Sequence, residues 1–235
     1  MQQLLDLKGK IAVVTGGATG IGKATAELME KAGAKVARID TADAPGCIKG
    51  DVADEAAMEK AFAQVGGVDI LVNNAGIGVR KQSFEITSAE WQRVLDVNLS
   101  GLFFCSRIAA RSMKERGGGA IINLASIMGF SGGFYPNPSY HATKGAVVNL
   151  TRTMAMEFAP HHIRVNAVAP TWVRTDLTAP LFSKPELFKK VMENTPLGVL
   201  PDTGDIAAAI LFLAGPAARC ITGVTLPVDS GYLAQ

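Results

Sequence analysis

The feature that most restricts this fold is an alternation. Short apolar runs of strand length recur along the 235 residues, each followed by a stretch with helical periodicity. Residues 10–15 (KIAVVT) form an unbroken, β-branched run, the pattern of a strand covered on both faces. Residues 20–32 read as a helix, 34–39 as a second strand ended by Asp40, and 47–50 as a short third. A helix over 54–65 leads to a strand over 68–72, stopped by Asn73-Asn74-Ala75-Gly76. One long helical stretch covers 88–116 and ends at Gly117-Gly118-Gly119. Strand 120–125, helix 140–158, strand 163–168, helices 178–193 and 203–214, and strand 222–228 follow. Strands alternating with helices imply parallel strands joined by right-handed crossovers. The expected fold is therefore α/β: a doubly wound parallel sheet with helices on both faces. With no linker or internal repeat, residues 1–235 read as one domain. Ligands in such sheets lie beyond the carboxyl ends of the strands, so the segments just after each strand carry the functional information.

Composition removes several classes. Hydrophobic residues at 48% and charged residues at 19% exclude a mainly disordered chain. The 23 basic and 21 acidic side chains are interspersed, so no basic tract points to nucleic acid or to a membrane surface. No apolar run approaches the ~20 residues of a bilayer span, and the first residues lack the pattern of a signal peptide. Cys47, Cys105 and Cys220 are widely spaced, with no CxxC pair, which argues against a disulfide framework or structural zinc. A reducing cytoplasm is the expected setting. His161 and His162 are adjacent and read as a polar turn, so no metal site is expected.

After the first strand comes Thr15-Gly16-Gly17-Ala18-Thr19-Gly20-Ile21-Gly22, opening a helix. Glycines there allow a tight turn and close backbone approach, and the helix start offers free N–H groups and a partial positive charge. This is the physics of a dinucleotide pyrophosphate site, although the spacing is GxxxGxG and not GxGxxG. Asp40 lies 24 residues after Gly16, at the end of the second strand. An acid there accepts hydrogen bonds from a free ribose 2′-hydroxyl and repels a 2′-phosphate, by ~4 kcal/mol per charge pair at 4 Å and dielectric ~20. No Lys or Arg sits in the glycine loop. NAD is therefore expected over NADP, with Arg38, two residues before Asp40, as the complication.

Tyr140 and Lys144 are four apart, which places them on one helix face. A phenol with pKa ~10 is a poor base at neutral pH. One cation at ~4 Å and dielectric ~20 could lower it by about three units. Ser126, just after a strand, can donate a hydrogen bond to a carbonyl or alkoxide oxygen. Asn98, in the long helix, can bond backbone and water and extend a proton path behind the lysine.

With these residues in hand, the chain resembles the short-chain dehydrogenase/reductase family almost end to end. The resemblance rests on Thr15-Gly16…Gly20-Ile21-Gly22, Asp51-Val52, Asn73-Asn74-Ala75-Gly76, Val97-Asn98, Ser126, Tyr140…Lys144, Ala169-Pro170 and the ending from Gly223 to Gly231. It implies a seven-stranded Rossmann-type sheet, a nicotinamide cofactor, hydride transfer between a secondary alcohol and a ketone, and a homotetramer. It assigns the substrate oxygen to Ser126, the acid/base to Tyr140, and the pKa control and ribose contact to Lys144, with Asn98 supporting the relay. The cofactor would be held by Gly16, Thr19, Gly20, Ile21, Gly22, Asp40, Asp51, Val52, Asn74, Ala75, Gly76, Tyr140, Lys144, Pro170, Val173 and Thr175. Asp51 and Val52 would flank the adenine, Asn74 would border the ribose, and Val173 and Thr175 would hold the carboxamide. Residues 175–200, with Leu177, Leu181 and Phe182, look like a substrate lid.

The chain departs from the family in two places. Residues 40–51 leave little room for the helix usually found between the second and third strands. After Ala169-Pro170 the family usually has Gly, and here Thr171-Trp172 follows. His141, beside Tyr140, can face away from it. Arg80, Lys81 and Arg174 could meet an anionic substrate or form solvated surface. Trp172, Phe134 and Tyr135 could line the pocket or simply pack. Polyols, sugar acids and small hydroxy acids are the candidate substrates. An NADPH-dependent reductase of 3-oxoacyl thioesters is the alternative enzyme, and a nucleotide-binding regulatory protein the alternative class.

Overall fold

Strand β1 (Ile11–Thr15) shows why the chain folds as it does. Ala12 and Val14 point into one core and Val13 into another, and all three are fully buried. A strand apolar on both sides must be covered on both sides. The computed structural model describes residues 4–134, 136–176 and 178–235. Among them, β1 is followed by α1 (Gly20–Lys31), β2 (Lys35–Asp40), β3 (Cys47–Lys49), α2 (Glu55–Val65), β4 (Ile70–Asn73) and α3 (Ser88–Leu95). Next come α4 (Leu102–Glu115), β5 (Gly119–Leu124), α5 (Pro138–Phe158), β6 (Ile163–Pro170), α6 (Ala179–Phe182), α7 (Pro185–Glu193), α8 (Thr203–Ala214) and β7 (Thr225–Val228). The seven strands form one parallel sheet in the order β3-β2-β1-β4-β5-β6-β7. Met29 of α1 and Ile206 and Ile210 of α8 cover one face. Met58 and Phe62 of α2, Met113 of α4 and Met154 of α5 cover the other. The order reverses between β1 and β4, so the switch point lies where the glycine loop and Asn74 meet.

The structure departs from the sequence reading in four places. First, Asn73 does not stop β4. It is its last residue, 4% exposed, and its Nδ2 donates to Ser106 Oγ at 2.8 Å and to Asn123 Oδ1 at 2.9 Å. Asn123 Nδ2 donates in turn to Thr151 Oγ1 at 3.0 Å, so a chain of buried amides and hydroxyls ties β4 and β5 to α4 and α5. Second, the stretch over 88–116 is not one α-helix. A π-helical turn, Asp96–Gly101, separates α3 from α4. Such wide turns concentrate at functional sites, and this one holds Asn98 at 1% exposure.

Third, the helix expected over 178–193 is two pieces. Lys184 precedes Pro185, whose ring pushes the preceding residue out of the helical region, and Lys184 is extended at φ −108°, ψ 109°. Fourth, β2 includes Asp40, which the sequence reading placed just beyond the strand. The absence of a helix between β2 and β3 agrees with expectation, since only residues 41–46 connect them. Among the described residues no helix is long and apolar enough to cross a membrane.

Candidate active site

The carboxyl ends of β1, β2, β4, β5 and β6 open on a cavity of about 350 Å³. One end is the glycine loop. Gly16 has φ +63°, and a Cβ there would lie 2.9 Å from Ala75 Cα. At Gly22 a Cβ would lie 2.0 Å from Gly16 O and 2.5 Å from Asn74 Nδ2, so only glycine allows this turn to close. Asn74 Nδ2 donates to Thr15 O and Gly16 O at 3.1 and 2.8 Å, and Thr15 Oγ1 accepts from the N–H groups of Asn74 and Ala75, both at 3.2 Å. The first turn of α1 behind the loop has no side-chain cap and no acid, which leaves its N–H groups and positive end open to an anion.

Gly16, Thr19, Gly20, Ile21, Asp40, Asp51, Val52, Asn74, Ala75 and Gly76 line this cavity, as do Ser126, Tyr140, Lys144, Pro170, Val173 and Thr175. Gly22 and Asn98 do not. Gly22 packs behind the loop, and Asn98 is buried behind Ile77. Asn98 Oδ1 accepts from Ile77 N at 2.8 Å, while its Nδ2 donates to Ile77 O at 2.9 Å and to Thr143 Oγ1 at 3.2 Å. Sequence reasoning missed Ile39, Thr41 and Arg93. Arg93 lies 42 residues from Asp51 and pairs with it at 2.8 Å, a link with no local signal. Arg38 is not on the cavity; its Nη2 donates to both carboxylate oxygens of Glu30 at 3.0 Å.

At the other end stand Ser126, Tyr140 and Lys144. Lys144 is 4% exposed, its Nζ donates to Leu124 O, and it lies 5.4 Å from the centre of the Tyr140 ring. Burial pulls its pKa from an ordinary 10.5 down to about 8. The expected lowering of Tyr140 by Lys144 is not what the free protein shows. Burial dominates and raises the phenol, opposed by the hydrogen bond from Ser126 and by the charge of Arg80. Ser126 Oγ also accepts from Met128 N at 3.2 Å, which fixes the hydroxyl beside Tyr140.

A second cavity of about 90 Å³ adjoins the first and shares Ser126, Tyr140, Thr171 and Thr178 with it. His141 lines it beside Tyr140, together with Arg80, Asn137, Trp172 and Leu181. Trp172 both lines this cavity and packs, with ring centres 5.2 Å from Phe134 and 5.2 Å from Tyr232. Lys81 instead pairs with Glu90 at 2.6 Å, and Arg174 lies over the Phe182 ring at 4.5 Å. Tyr135 and Leu177 lie outside the described residues.

Comparison with known proteins places this geometry. A family model described as enoyl-(acyl carrier protein) reductase matches residues 16–233. Galactitol 2-dehydrogenase (L-tagatose-forming) of Cereibacter sphaeroides is 41% identical, covering 96% of each chain. A 2-dehydro-3-deoxy-D-gluconate 5-dehydrogenase of Dickeya dadantii is 36% identical over 98% of each. The crystal structure of a gluconate 5-dehydrogenase from Burkholderia cenocepacia, in complex with NADP and tartrate, superposes with a TM-score of 0.95 at 31% identity, covering 100% of this chain and 99% of that one. The chain belongs to the short-chain dehydrogenase/reductase family. It is an oxidoreductase that interconverts alcohols and ketones with a nicotinamide cofactor.

The buried Lys144 carries a cost in stability. A lysine whose folded pKa is depressed destabilises the native state while it is charged, and the cost fades as pH rises from about 8 towards 10.5. Lys144→Met, of similar length, is expected to stabilise the free protein below pH 8 by on the order of 3 kcal/mol. A urea-unfolding series against pH reads this directly; no gain below pH 8, or a gain that grows at higher pH, would contradict it.

Proposed function

We propose that this short-chain dehydrogenase/reductase is an NAD-linked dehydrogenase of secondary alcohols in the polyol, sugar-acid and small hydroxy-acid classes. The supporting observation is one cavity with a glycine loop and Asp40 at one end and Ser126, Tyr140 and Lys144 at the other. The uncapped first turn of α1 and the close Gly16–Ala75 approach fit a pyrophosphate held by backbone N–H groups. Asp51 and Val52 would flank the adenine, Asn74 would border the ribose, and Val173 and Thr175 would take the carboxamide. A nicotinamide held there would supply the hydride acceptor for the carbinol carbon.

The chain's own residues manage the proton. Tyr140, as phenolate, takes the hydroxyl proton at its oxygen as the carbonyl forms, and returns one in the reductive direction. Ser126 donates its hydroxyl proton to the substrate oxygen and holds it against Tyr140. Lys144 supplies a buried cation beside the phenolate and a donor for the ribose. Asn98 is a positioning residue. Its carboxamide fixes the Ile77 backbone and, through Thr143 Oγ1, which donates to Tyr140 O at 2.9 Å, the turn that carries Tyr140.

Tyr140→Phe removes one oxygen and little volume. It should fold, bind cofactor, and lose about 10²–10⁴-fold in kcat. Because burial raises the Tyr140 pKa, wild-type oxidation should climb with pH above neutrality, as the phenol loses its proton. Near-normal turnover in a folded Tyr140→Phe protein would remove the assignment.

The NAD preference rests on Asp40. It lines the cavity, and its oxygens accept from Ala18 N and Ala42 N, each at 3.0 Å, leaving acceptor capacity for a ribose hydroxyl. Arg38, the group that could welcome a 2′-phosphate, is held by Glu30. The wild type should show higher kcat/KM with NAD than with NADP, and Asp40→Ala should narrow the ratio about tenfold or more. A wild type that favours NADP, or a ratio unmoved in Asp40→Ala, would count against it.

Self-association through α4 and α5 belongs to the same reading, since Phe103 and Met156 on these helices are exposed. Light scattering should give a multiple of the 24.6 kDa chain mass, with a tetramer expected; a monomer at micromolar concentration would exclude it.

A further inference from the structure

We propose that the substrate is an anion: a hydroxy acid or sugar acid whose carboxylate is held by Arg80 at the small cavity beside Tyr140. This rests on the dehydrogenase reading above and narrows its three substrate classes to two.

Three cations stand near the substrate end in the sequence, and the structure engages two of them elsewhere. Lys81 Nζ lies 2.6 Å from Glu90 Oε1. The Arg174 guanidinium lies over the rings of Phe182 and Phe188, at 4.5 and 5.5 Å from their centres. Neither residue lines the cofactor cavity or the small one. Arg80 does line the small cavity, together with Ser126 and Tyr140.

The backbone explains that placement. At Gly78, two residues before Arg80, a Cβ would lie 3.0 Å from Asn137 Nδ2 and 3.6 Å from Tyr140 Cδ2. The chain after β4 is therefore seated directly against the start of α5, and Arg80 leaves it beside the reacting end of the site. Arg80 is half-buried, so its side chain keeps contact with solvent. A second observation agrees with the first. The positive charge of Arg80 is felt at Tyr140, where it opposes burial and favours the phenolate. A cation placed to favour one oxyanion here also favours a carboxylate next to it.

Arg80 interacts within the protein as well. A guanidinium carries five N–H donors, so a contact that fixes the side chain still leaves others to offer. Among the described residues lining this cavity there is no Asp or Glu, and Ile127, Met128, Trp172 and Leu181 form an apolar wall. A carboxylate entering it meets a permanent cation, no like charge, and surroundings poor in water that strengthen the attraction. A neutral chain gains nothing from that charge. In the reaction the carbinol hydride goes to the nicotinamide and the hydroxyl proton to Tyr140, so the hydroxy acid leaves as an oxo acid with its carboxylate intact.

Matched pairs isolate the claim, each an acid and the alcohol with a hydroxymethyl group in place of its carboxylate. Lactate and propylene glycol, 3-hydroxybutyrate and 1,3-butanediol, and gluconate and sorbitol place the carboxylate at increasing reach. Each is assayed with NAD and, separately, with NADP. In at least one pair the wild-type enzyme should oxidise the acid with a kcat/KM about 10- to 100-fold above that for its partner. Arg80→Gln should bring that ratio to one or below. Arg80→Met, which keeps the apolar stem, gives the same reading should the Gln variant fail to fold. Loss of folded protein, or of the Arg80 charge at Tyr140, slows both members of a pair alike and drops out of the ratio. Wild-type ratios near or below one in all three pairs, or an acid preference unmoved in the folded variants, would overturn the assignment of Arg80 while the dehydrogenase stands. If none of the six compounds is oxidised in a Tyr140-dependent way, the dehydrogenase reading falls and this inference with it.

Discussion

The fold's chemistry depends on the clamp between the ends of β1 and β4. Thr15 and Asn74 sit at the point where the strand order reverses, and each satisfies the other's chain. The Thr15 hydroxyl accepts two backbone N–H groups beyond β4, and the Asn74 carboxamide donates to two carbonyls at the start of the glycine loop. The loop is thereby held so close that Gly16 and Gly22 have no room for a methyl group. A looser loop would tolerate side chains, but its N–H groups would no longer converge on one anion. Close packing and anion binding are here one requirement, because the free donors of α1 are useful only if the backbone before them is fixed.

A second clamp works at the opposite end of the cavity. The Asn98 carboxamide grips both the N–H and the C=O of Ile77 and reaches Thr143, so the strap over 74–77 and the first turns of α5 are positioned by one side chain. The π turn that carries Asn98 is an expensive local geometry, and Gly101 within it presses against Val52, where a Cβ would lie 2.8 Å from Val52 O. Val52 lines the cavity beside Asp51. The same turn therefore touches both ends of the site: Asn98 behind Tyr140, and Gly101 behind Val52.

Much of this was legible in the sequence. The alternation of strands and helices, the glycine loop, Asp40, and the Tyr140–Lys144 spacing are local patterns, and local patterns carry over into structure. What was not legible came from contacts distant in sequence. The π turn, Asp96–Gly101, spans too few residues between two helical stretches to show in the apolar periodicity of 88–116. Asn73 reads as a strand breaker by propensity, yet its partner Asn123 lies beside it only once β4 and β5 are paired. The direction of the Tyr140 shift was also hidden: spacing reveals the neighbouring cation, while only the packed structure reveals how much water has been lost. The break before Pro185 was readable from the proline alone.

The departure at Thr171-Trp172 ties these themes together. Trp172 anchors an apolar cluster through Phe134 and Tyr232, and the Tyr232 hydroxyl lies 3.1 Å from Ser131 Oγ, so the last turn of the chain is fastened to the loop after Ser126. Trp172 lines the pocket of about 90 Å³ beside Tyr140, together with Thr171 and Leu181. A small pocket leaves less room for bulk water, and polar groups on its wall become more consequential as the local dielectric falls. Thr171, His141 and Asn137 lie on its wall, beside Ser126 and Tyr140. The tryptophan thus ties the shape of this pocket to the packing of the turn that carries Tyr232.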